Sequence, residues 1–125
     1  GTVAEISVQR QIAAQGMEKV IAATAVHYIN DTLSDMSKNA SADENSVKHN
    51  KHWAEMKAFT YALQYNPLGK IQSSDLEQLH SLMGTAPVYD APGSAAYEAQ
   101  VTALNSAKDI FQSVYGFSPA NMTNW

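Results

Sequence analysis

The sequence predicts an all-α fold, a mostly antiparallel helical bundle of three long helices and one short one. Three long stretches repeat their apolar residues with the period of an amphipathic helix: residues 3–36, 48–66 and 95–115. The segments between them contain the glycine, proline and small polar residues typical of turns. No segment looks like a strand, so the 125 residues suit a single helical domain, 1–125, with one modest core.

The first helix is predicted over residues 3–36, with two apolar strips. The main strip is expected to face the core and contains Val3, Ile6, Ala13, Met17, Val20, Ile21, Thr24 and Tyr28. The second strip, which indicates a further neighbour, contains Val8, Ile12, Val26 and Leu33. Asp31 and Asp35 occupy positions on the main face that the period assigns to apolar residues, with His27 at its edge. They are inward-facing polar groups or, alternatively, groups in water where the helix frays.

The second helix follows a polar loop, residues 37–45, in which Ser41 and Glu44 have the spacing of a capping box. It is expected to end at Asn66, because Pro67 disfavours helical backbone in the residue before it. At ~100° per residue, one apolar sector collects Met56, Ala58, Phe59, Ala62 and Leu63. The short loop makes the first two helices antiparallel neighbours.

The remaining elements are predicted from their caps. Ser74 and Glu77 match a capping box for a short helix that ends at Gly84. Ser94 is expected to cap the last helix, residues 95–115, which Gly116 ends. The tail, residues 117–125, has no helical period, and two aromatic side chains are expected to pin it to the bundle: Phe117 and Trp125.

Composition excludes several classes of function. The net charge of -4 and the absence of a Lys/Arg cluster argue against nucleic acid and acidic membranes as partners. The chain has no cysteine, hence no thiolate ligand or Cys nucleophile. It also lacks a Gly-x-Ser-x-Gly elbow, a Gly-rich phosphate loop and a His-Glu-x-x-His motif, so we expect no enzyme. No apolar run approaches the ~18 residues of a membrane-spanning helix.

Two ionisable residues lie near the middle of the apolar sector of the second helix. His52 and Glu55 are ~5–6 Å apart on one helical face and can ligate one metal ion. Pairing residues across the loop places His27 and Asp31 level with His52, where they would complete the ligand shell. Imidazole with carboxylates suits iron, zinc or manganese. His49 is expected to be solvated.

The same residues allow a structural interpretation. Lys108 lies in the middle of the inward face of the last helix, where it could neutralise Glu55 or Asp31. His52, Glu55, Lys108 and Asp31 would then form a buried hydrogen-bonded network that fixes the register of the bundle. On this alternative the protein is a non-catalytic helical interaction or assembly module.

The stretch KHWAEMKAFTYALQYNP, residues 51–67, resembles the H-W-x-E-M-K-x-F…L-Q-x-N-P signature of an uncharacterised family of bacterial cell-envelope lipoproteins. The segment LHSLMGTAPV and the end AKDIFQSVYGFSPANMTNW are similar to the same family. The resemblance implies that this chain is the C-terminal half of a longer duplicated protein in the periplasm or anchored to the outer membrane. The missing N-terminal half, or a second copy in a homo-oligomer, would then cover the surplus apolar strips, and Trp53 would contact it.

That family is similar in motif style to imelysin-like iron-uptake proteins, which carry Gly-x-His-x-x-Glu. His52 and Glu55 match the last two residues of the motif, whereas Asn50 replaces the glycine. The resemblance implies an envelope helical protein that binds iron or another divalent metal in iron acquisition, with other cell-envelope iron-uptake proteins as partners. The predicted metal ligands are His52, Glu55, His27 and Asp31.

Overall fold

A long N-terminal helix organises the bundle. The structure, a computed structural model, describes residues 1–39 and 43–125, with the side chains of 43–45 left undescribed. Helix α1 spans Val3–Met36, which confirms the predicted bounds. Thr2 begins it with a capping box: its Oγ1 accepts from the backbone N–H of Glu5 at 3.2 Å, and Glu5 Oε2 accepts from the N–H of Thr2 at 2.6 Å.

Helix α2 spans Asp43–Ala62 and continues into a 3-10 turn, Leu63–Tyr65. It therefore begins inside the predicted loop, and its regular part ends before Asn66, which has extended backbone. The predicted capping box of Ser41 and Glu44 lies outside the described side chains. Because the connection to α1 is short, the two helices form an antiparallel hairpin, the most extensive helix contact of the bundle.

The C-terminal part contains one helix more than predicted. Helix α3 spans Ser73–Met83; Gln72 caps it with an N–H that donates to Asp75, so the predicted Ser74–Glu77 box is wrong. Helix α4 spans Ala95–Tyr115 between Ser94 and left-handed Gly116, as predicted. Helix α5, Pro119–Asn124, forms in the tail expected to be irregular, because Ser118 caps it and proline is tolerated in a first turn.

One apolar core joins these helices. Helices α3 and α4 pack together, α4 lies against α1, and α5 returns to α1. The large side chains of the core include Ile29, Met36, Met56, Leu79, Met83, Leu104 and Phe111. The tail is pinned as expected: Phe117 is buried, and its ring meets that of Trp125 edge-on at 4.7 Å. Among the described residues all regular structure is helical, so the predicted bundle is confirmed.

The predicted core face of α1 is wrong. The buried stripe contains Glu18, Ala22, Ala25, Val26, Ile29, Thr32, Asp35 and Met36. Every residue from 1 to 13 is exposed, and of the predicted main strip only Ile21 and Tyr28 pack against the core. The 34 residues of α1 extend ~51 Å, whereas the 20 of α2 extend ~30 Å, so the start of α1 overhangs its partner.

Candidate functional site

Two histidines and two aspartates alternate in a short chain across the contact between α1 and α2. Oδ2 of Asp31 lies 3.2 Å from Nε2 of His27 and 3.7 Å from Nε2 of His52. Nδ1 of His52 lies 2.6 Å from Oδ2 of Asp35. We call these four side chains the His–Asp ladder. His27, Asp31 and His52 are therefore brought together as the antiparallel pairing predicted.

Helical spacing and the hairpin together build the ladder. His27, Asp31 and Asp35 follow one another at four-residue intervals, which stacks them along one side of α1. Helix α2 packs against this side and contributes His52. The ring centroid of His52 also lies 6.0 Å from that of Tyr28. Tyr28 in turn stacks on Phe59 at 5.5 Å, so an aromatic layer supports the imidazole of His52.

The ladder runs from solvent into the core. Side-chain exposure falls from 47% for His27 through 35% for Asp31 and 21% for His52 to 8% for Asp35. Nδ1 of His52 lies within hydrogen-bond distance of Oδ2 of Asp35. This contact orients the imidazole and leaves its Nε2 directed toward Asp31. The ladder can therefore bind α1 to α2 or present imidazole nitrogen to a ligand.

The other two predicted members lie outside the ladder. No hydrogen bond or ion pair among the described residues joins Glu55 to His52 or Asp31, and Oε2 of Glu55 is buried without a hydrogen-bond partner. Lys108 donates instead to Oδ1 of Asn30 at 2.7 Å. The network of His52, Glu55, Lys108 and Asp31 expected from the sequence is therefore replaced by the ladder, in which Asp35 is the closest partner of His52.

Lys108 supports the C-terminal tail. Asn30, which accepts from Lys108, uses its Nδ2 to donate to the carbonyl oxygens of Met122 at 3.1 Å and Trp125 at 2.8 Å. Burial lowers the pKa of Lys108, while the charge of Asp109 opposes that shift. Lys108 thus links α4, α1 and the chain end, a structural role.

The described residues contain no ready metal centre. Within residues 1–39 and 43–125, no group of three or more His, Asp or Glu side chains is arranged to hold a metal ion. The ladder contains atoms of a suitable kind in Nε2 of His27, Nε2 of His52 and the Asp31 carboxylate. None of the four predicted ligands is thereby assigned to a metal.

His49 is not solvated, contrary to the prediction. Its side chain is fully buried, with Nδ1 3.1 Å from Oδ1 of Asn39 and its ring against Tyr89. Nε2 is buried without a hydrogen-bond partner. Burial lowers the pKa of His49, the charge of Asp35 opposes the shift, and His52 adds to it. Trp53, which was expected to contact a missing half or a second copy, makes a hydrogen bond within this chain. Its Nε1 donates to the carbonyl of Met83 at 3.2 Å.

A second buried carboxylate was missed by the sequence analysis. Glu18 is 2% exposed and accepts from the backbone N–H groups of Lys70 at 2.6 Å and Ile71 at 3.0 Å, and from the hydroxyl of Tyr115 at 2.7 Å. It ties the loop before α3 and the end of α4 to α1. Glu18 lies four residues before Ala22 and therefore on the buried stripe of α1. A correct choice of the core face would have identified it from the sequence.

The exposed side of α1 carries a heptad pattern, which we call the α1 seam. Its members alternate at intervals of three and four residues: Val3, Ile6, Arg10, Ala13, Met17, Val20, Thr24 and His27. Four large apolar members are strongly exposed: Val3 at 86%, Met17 at 71%, Val20 at 67% and Ile6 at 62%. His27 ends the seam and also begins the His–Asp ladder.

Comparison of the chain with protein-family models, with curated proteins and with solved structures finds no match. Among the described residues, no helix combines the length and apolar character needed to cross a membrane. The ladder and the seam are the two features of the described residues that point to a function.

Proposed function

We propose that this protein is a non-catalytic helical interaction module whose α1 seam packs against another α-helix. The observation that carries the proposal is the exposure of four large apolar side chains at heptad spacing along one helix. Scattered exposed apolar residues are ordinary, whereas a continuous apolar stripe marks an interaction surface. The heptad interval selects a helix as the partner, because a and d side chains fit between those of a second helix.

The free energy available from covering the seam is substantial. Fully burying a Val, Ile or Met side chain contributes roughly 1.5–3 kcal/mol. Val3, Ile6, Met17 and Val20 are already between 14% and 38% covered, so their remaining burial contributes roughly 4–8 kcal/mol from this chain alone. The partner's side chains add a similar amount, which is enough to offset a typical association cost.

The first part of α1 gives a second reason to expect a partner. All residues from 1 to 13 are exposed, and the bundle begins where Asn66 Nδ2 donates to the carbonyl of Ala14 at 3.0 Å. Helices in water depend on packing more than on propensity. A projecting apolar arm of ~16 Å, residues 3–13, therefore gains stability when another helix covers it.

The His–Asp ladder has a structural role in this proposal. It joins α1 to α2 through His52 and Asp35, and so fixes the register of the hairpin that presents the seam. The partner is either a preceding half of a longer protein or a second copy of this chain. Both alternatives supply a helix, and both place it on the same side chains.

The test uses the absence of cysteine, which makes a single introduced thiol unambiguous. Val20→Cys on the seam is compared with Val8→Cys. Val8 is 55% exposed and lies on another side of the same helix. Each variant is produced in the cells that make the protein and labelled there with a membrane-permeant maleimide. We expect slow labelling of Val20→Cys and fast labelling of Val8→Cys, with both fast after unfolding. Equal, fast labelling in the cell would refute the proposal.

Metal binding in iron acquisition is a second candidate, favoured by one observation beyond the family resemblance. Asp35 holds Nδ1 of His52 at 2.6 Å, an arrangement typical of histidines that bind metal through the other nitrogen. That nitrogen and Nε2 of His27 both lie near Oδ2 of Asp31. Imidazole and carboxylate ligands suit iron or zinc. With this candidate we also propose a location in the bacterial cell envelope, which is that of the family the sequence resembles.

Metal analysis of protein without a polyhistidine tag, after incubation with Fe²⁺ or Zn²⁺, tests this candidate. We expect near-stoichiometric metal in the parent and its loss in Asp31→Asn. The matched control is Asp109→Asn, which neutralises an exposed aspartate on α4 and should keep the metal. A parent protein that retains neither ion excludes the candidate and leaves the interaction module.

A further inference from the structure

The two halves of the α1 seam have complementary shapes. The N-terminal half projects from the bundle and offers the knobs Val3 and Ile6. The C-terminal half lies beside the chain end, where two grooves of about 330 Å³ each open along it. Val20 and Ala23 line both grooves, and Trp125 forms a wall of each.

The grooves have the spacing of coiled-coil holes. One is lined by Gly16, Lys19, Val20 and Ala23, and the other by Val20, Ala23, Thr24 and His27. Each set follows a pattern of three, one and three residues, the spacing of a four-residue coiled-coil hole. The second set lies on the seam itself, whereas Lys19 places the first set beside the seam. The aromatic rings of Phe117 and Trp125 deepen the first hole.

Gly16 indicates that the facing helix comes close. A Cβ at this position would meet no atom within 4 Å, so nothing in the chain itself requires glycine there. Glycine in a helix interior is unfavourable compared with alanine. A neighbouring backbone that needs the space beside Gly16 accounts for the residue, and Gly16 lies in the first groove.

We propose that two copies of this chain associate through antiparallel α1 seams, each laying its N-terminal arm along Met17 and Val20 of the other, at the edge of the grooves. This inference rests on the proposed function and names the partner. The register with the best apolar layers places Ile6 of one copy beside Met17 of the other and Val3 beside Val20. Arg10 then faces Ala13, whose small side chain leaves the guanidinium a path to water.

Self-complementarity selects a second copy over an unrelated helix. One surface supplies both the knobs and the holes, as a two-fold interface requires. Five positions that flank the seam over residues 3–21 are uncharged: Ser7, Gln9, Ala14, Gly16 and Ile21. Arg10 is the charged seam residue in that range, and it faces Ala13 of the other copy. The six seam residues and five flanking residues over residues 3–21 give the interface eleven residues a side, below the 20–30 of a standard complex, so we expect a dissociation constant in the micromolar range.

Sedimentation equilibrium of the whole chain over a range of concentrations is the first test. We expect the mass to rise with concentration from 13.6 kDa toward twice that value. Val20→Glu should stay monomeric at every concentration. The control is Val47→Glu, which alters an apolar residue on α2 of nearly equal exposure, 69% against 67%, and should dimerise like the parent. Because both positions are exposed, neither change is expected to prevent folding.

The orientation is tested by mixing Ile6→Cys and Met17→Cys chains under mild oxidation. The two substitutions change the mass differently, so mass spectrometry distinguishes the mixed disulfide dimer from the two homodimers. Antiparallel seams predict mainly the mixed dimer, whereas parallel seams predict the homodimers and would overturn the proposed arrangement. Gly16→Ala should raise the dissociation constant about tenfold or more, equivalent to about 1.4 kcal/mol.

The outcomes separate this inference from the proposed function. A parent that remains monomeric at all concentrations overturns self-association, and a dimer that survives Val20→Glu overturns self-association through the α1 seam. If Val20→Cys is nevertheless protected in cells, the seam still binds a helix and only the identity of the partner is wrong. If it is labelled freely there as well, both proposals fail.

Discussion

The buried carboxylate of Glu18 provides the sharpest test of how this bundle is held together. Glu18→Ala removes the acceptor of three hydrogen bonds, from the N–H groups of Lys70 and Ile71 and the hydroxyl of Tyr115. It leaves those donors facing a small cavity between α1, the loop before α3 and the end of α4. We expect a fully helical but much less stable protein.

The magnitude follows from the burial of the three donors. The Ile71 N–H and the Tyr115 hydroxyl are buried, and each donor left unsatisfied costs about 1–3 kcal/mol. Lys70 is exposed at the surface, so water can replace its bond at little cost. The expected loss in the free energy of unfolding is therefore about 3–5 kcal/mol, a large part of the 5–15 kcal/mol typical of a domain.

Urea unfolding followed by far-ultraviolet circular dichroism measures this loss. Glu77→Ala, which truncates an exposed glutamate on α3, is the control and should change the stability by less than about 0.5 kcal/mol. Glu18→Gln should fall between the two, since the amide keeps one acceptor oxygen. A Glu18→Ala protein that loses no more stability than Glu77→Ala would refute the assigned role of the carboxylate.

Four further substitutions give predictions at other positions. Gly69→Ala should lower the free energy of unfolding in urea by about 1–3 kcal/mol, because its Cβ would lie 2.9 Å from a backbone oxygen and 3.2 Å from both carboxylate oxygens of Glu18. Gly16→Ala is the matched control: its Cβ would meet open space, so it should stabilise the monomer by up to about 1 kcal/mol. Burial lowers the pKa of His49 below 6.5, so its contribution to stability is present above that pH and is lost as the pH falls. Unfolding midpoints at about pH 7 and about pH 5 should therefore differ less in His49→Gln than in the parent, and equal differences would contradict this. Burial, and after it the hydrogen bond to Glu18, raises the pKa of Tyr115 above 10.0. The contribution of Tyr115 to stability is therefore present below that pH and is lost as the pH rises further. In Tyr115→Phe the unfolding midpoint should fall less at alkaline pH than in the parent.

The seam and the ladder meet at His27, and this arrangement distinguishes their roles. The ladder holds α1 to α2 from the exposed His27 inward to the buried Asp35. The seam leads away from the bundle along the arm toward Val3. Helix α1 is thus held in the core at its C-terminal end and exposed at its N-terminal end, where the proposed partner would bind.

The part of the candidate site that depends on loop length and helical spacing could be predicted from the sequence. The short loop and the helical period placed His27 and Asp31 level with His52, and the structure shows all three together. The period also placed Asp35 on the inward side, but did not show that it would be the nearest partner of His52. Glu55 lies one turn from His52, yet helix rotation decides which of two such groups meets a neighbour.

The helices themselves were determined by the sequence through short-range interactions. The bounds of α1, and the start and end of α4 at Ser94 and Gly116, depend on caps and backbone preferences within a few residues. Only the tertiary structure decided which apolar strip of α1 is buried. Hydrophobic attraction has no direction, so a strip is buried only where a neighbour of sufficient length covers it. Small Ala22 and Ala25 are buried against the other helices, whereas the bulkier seam side chains are exposed.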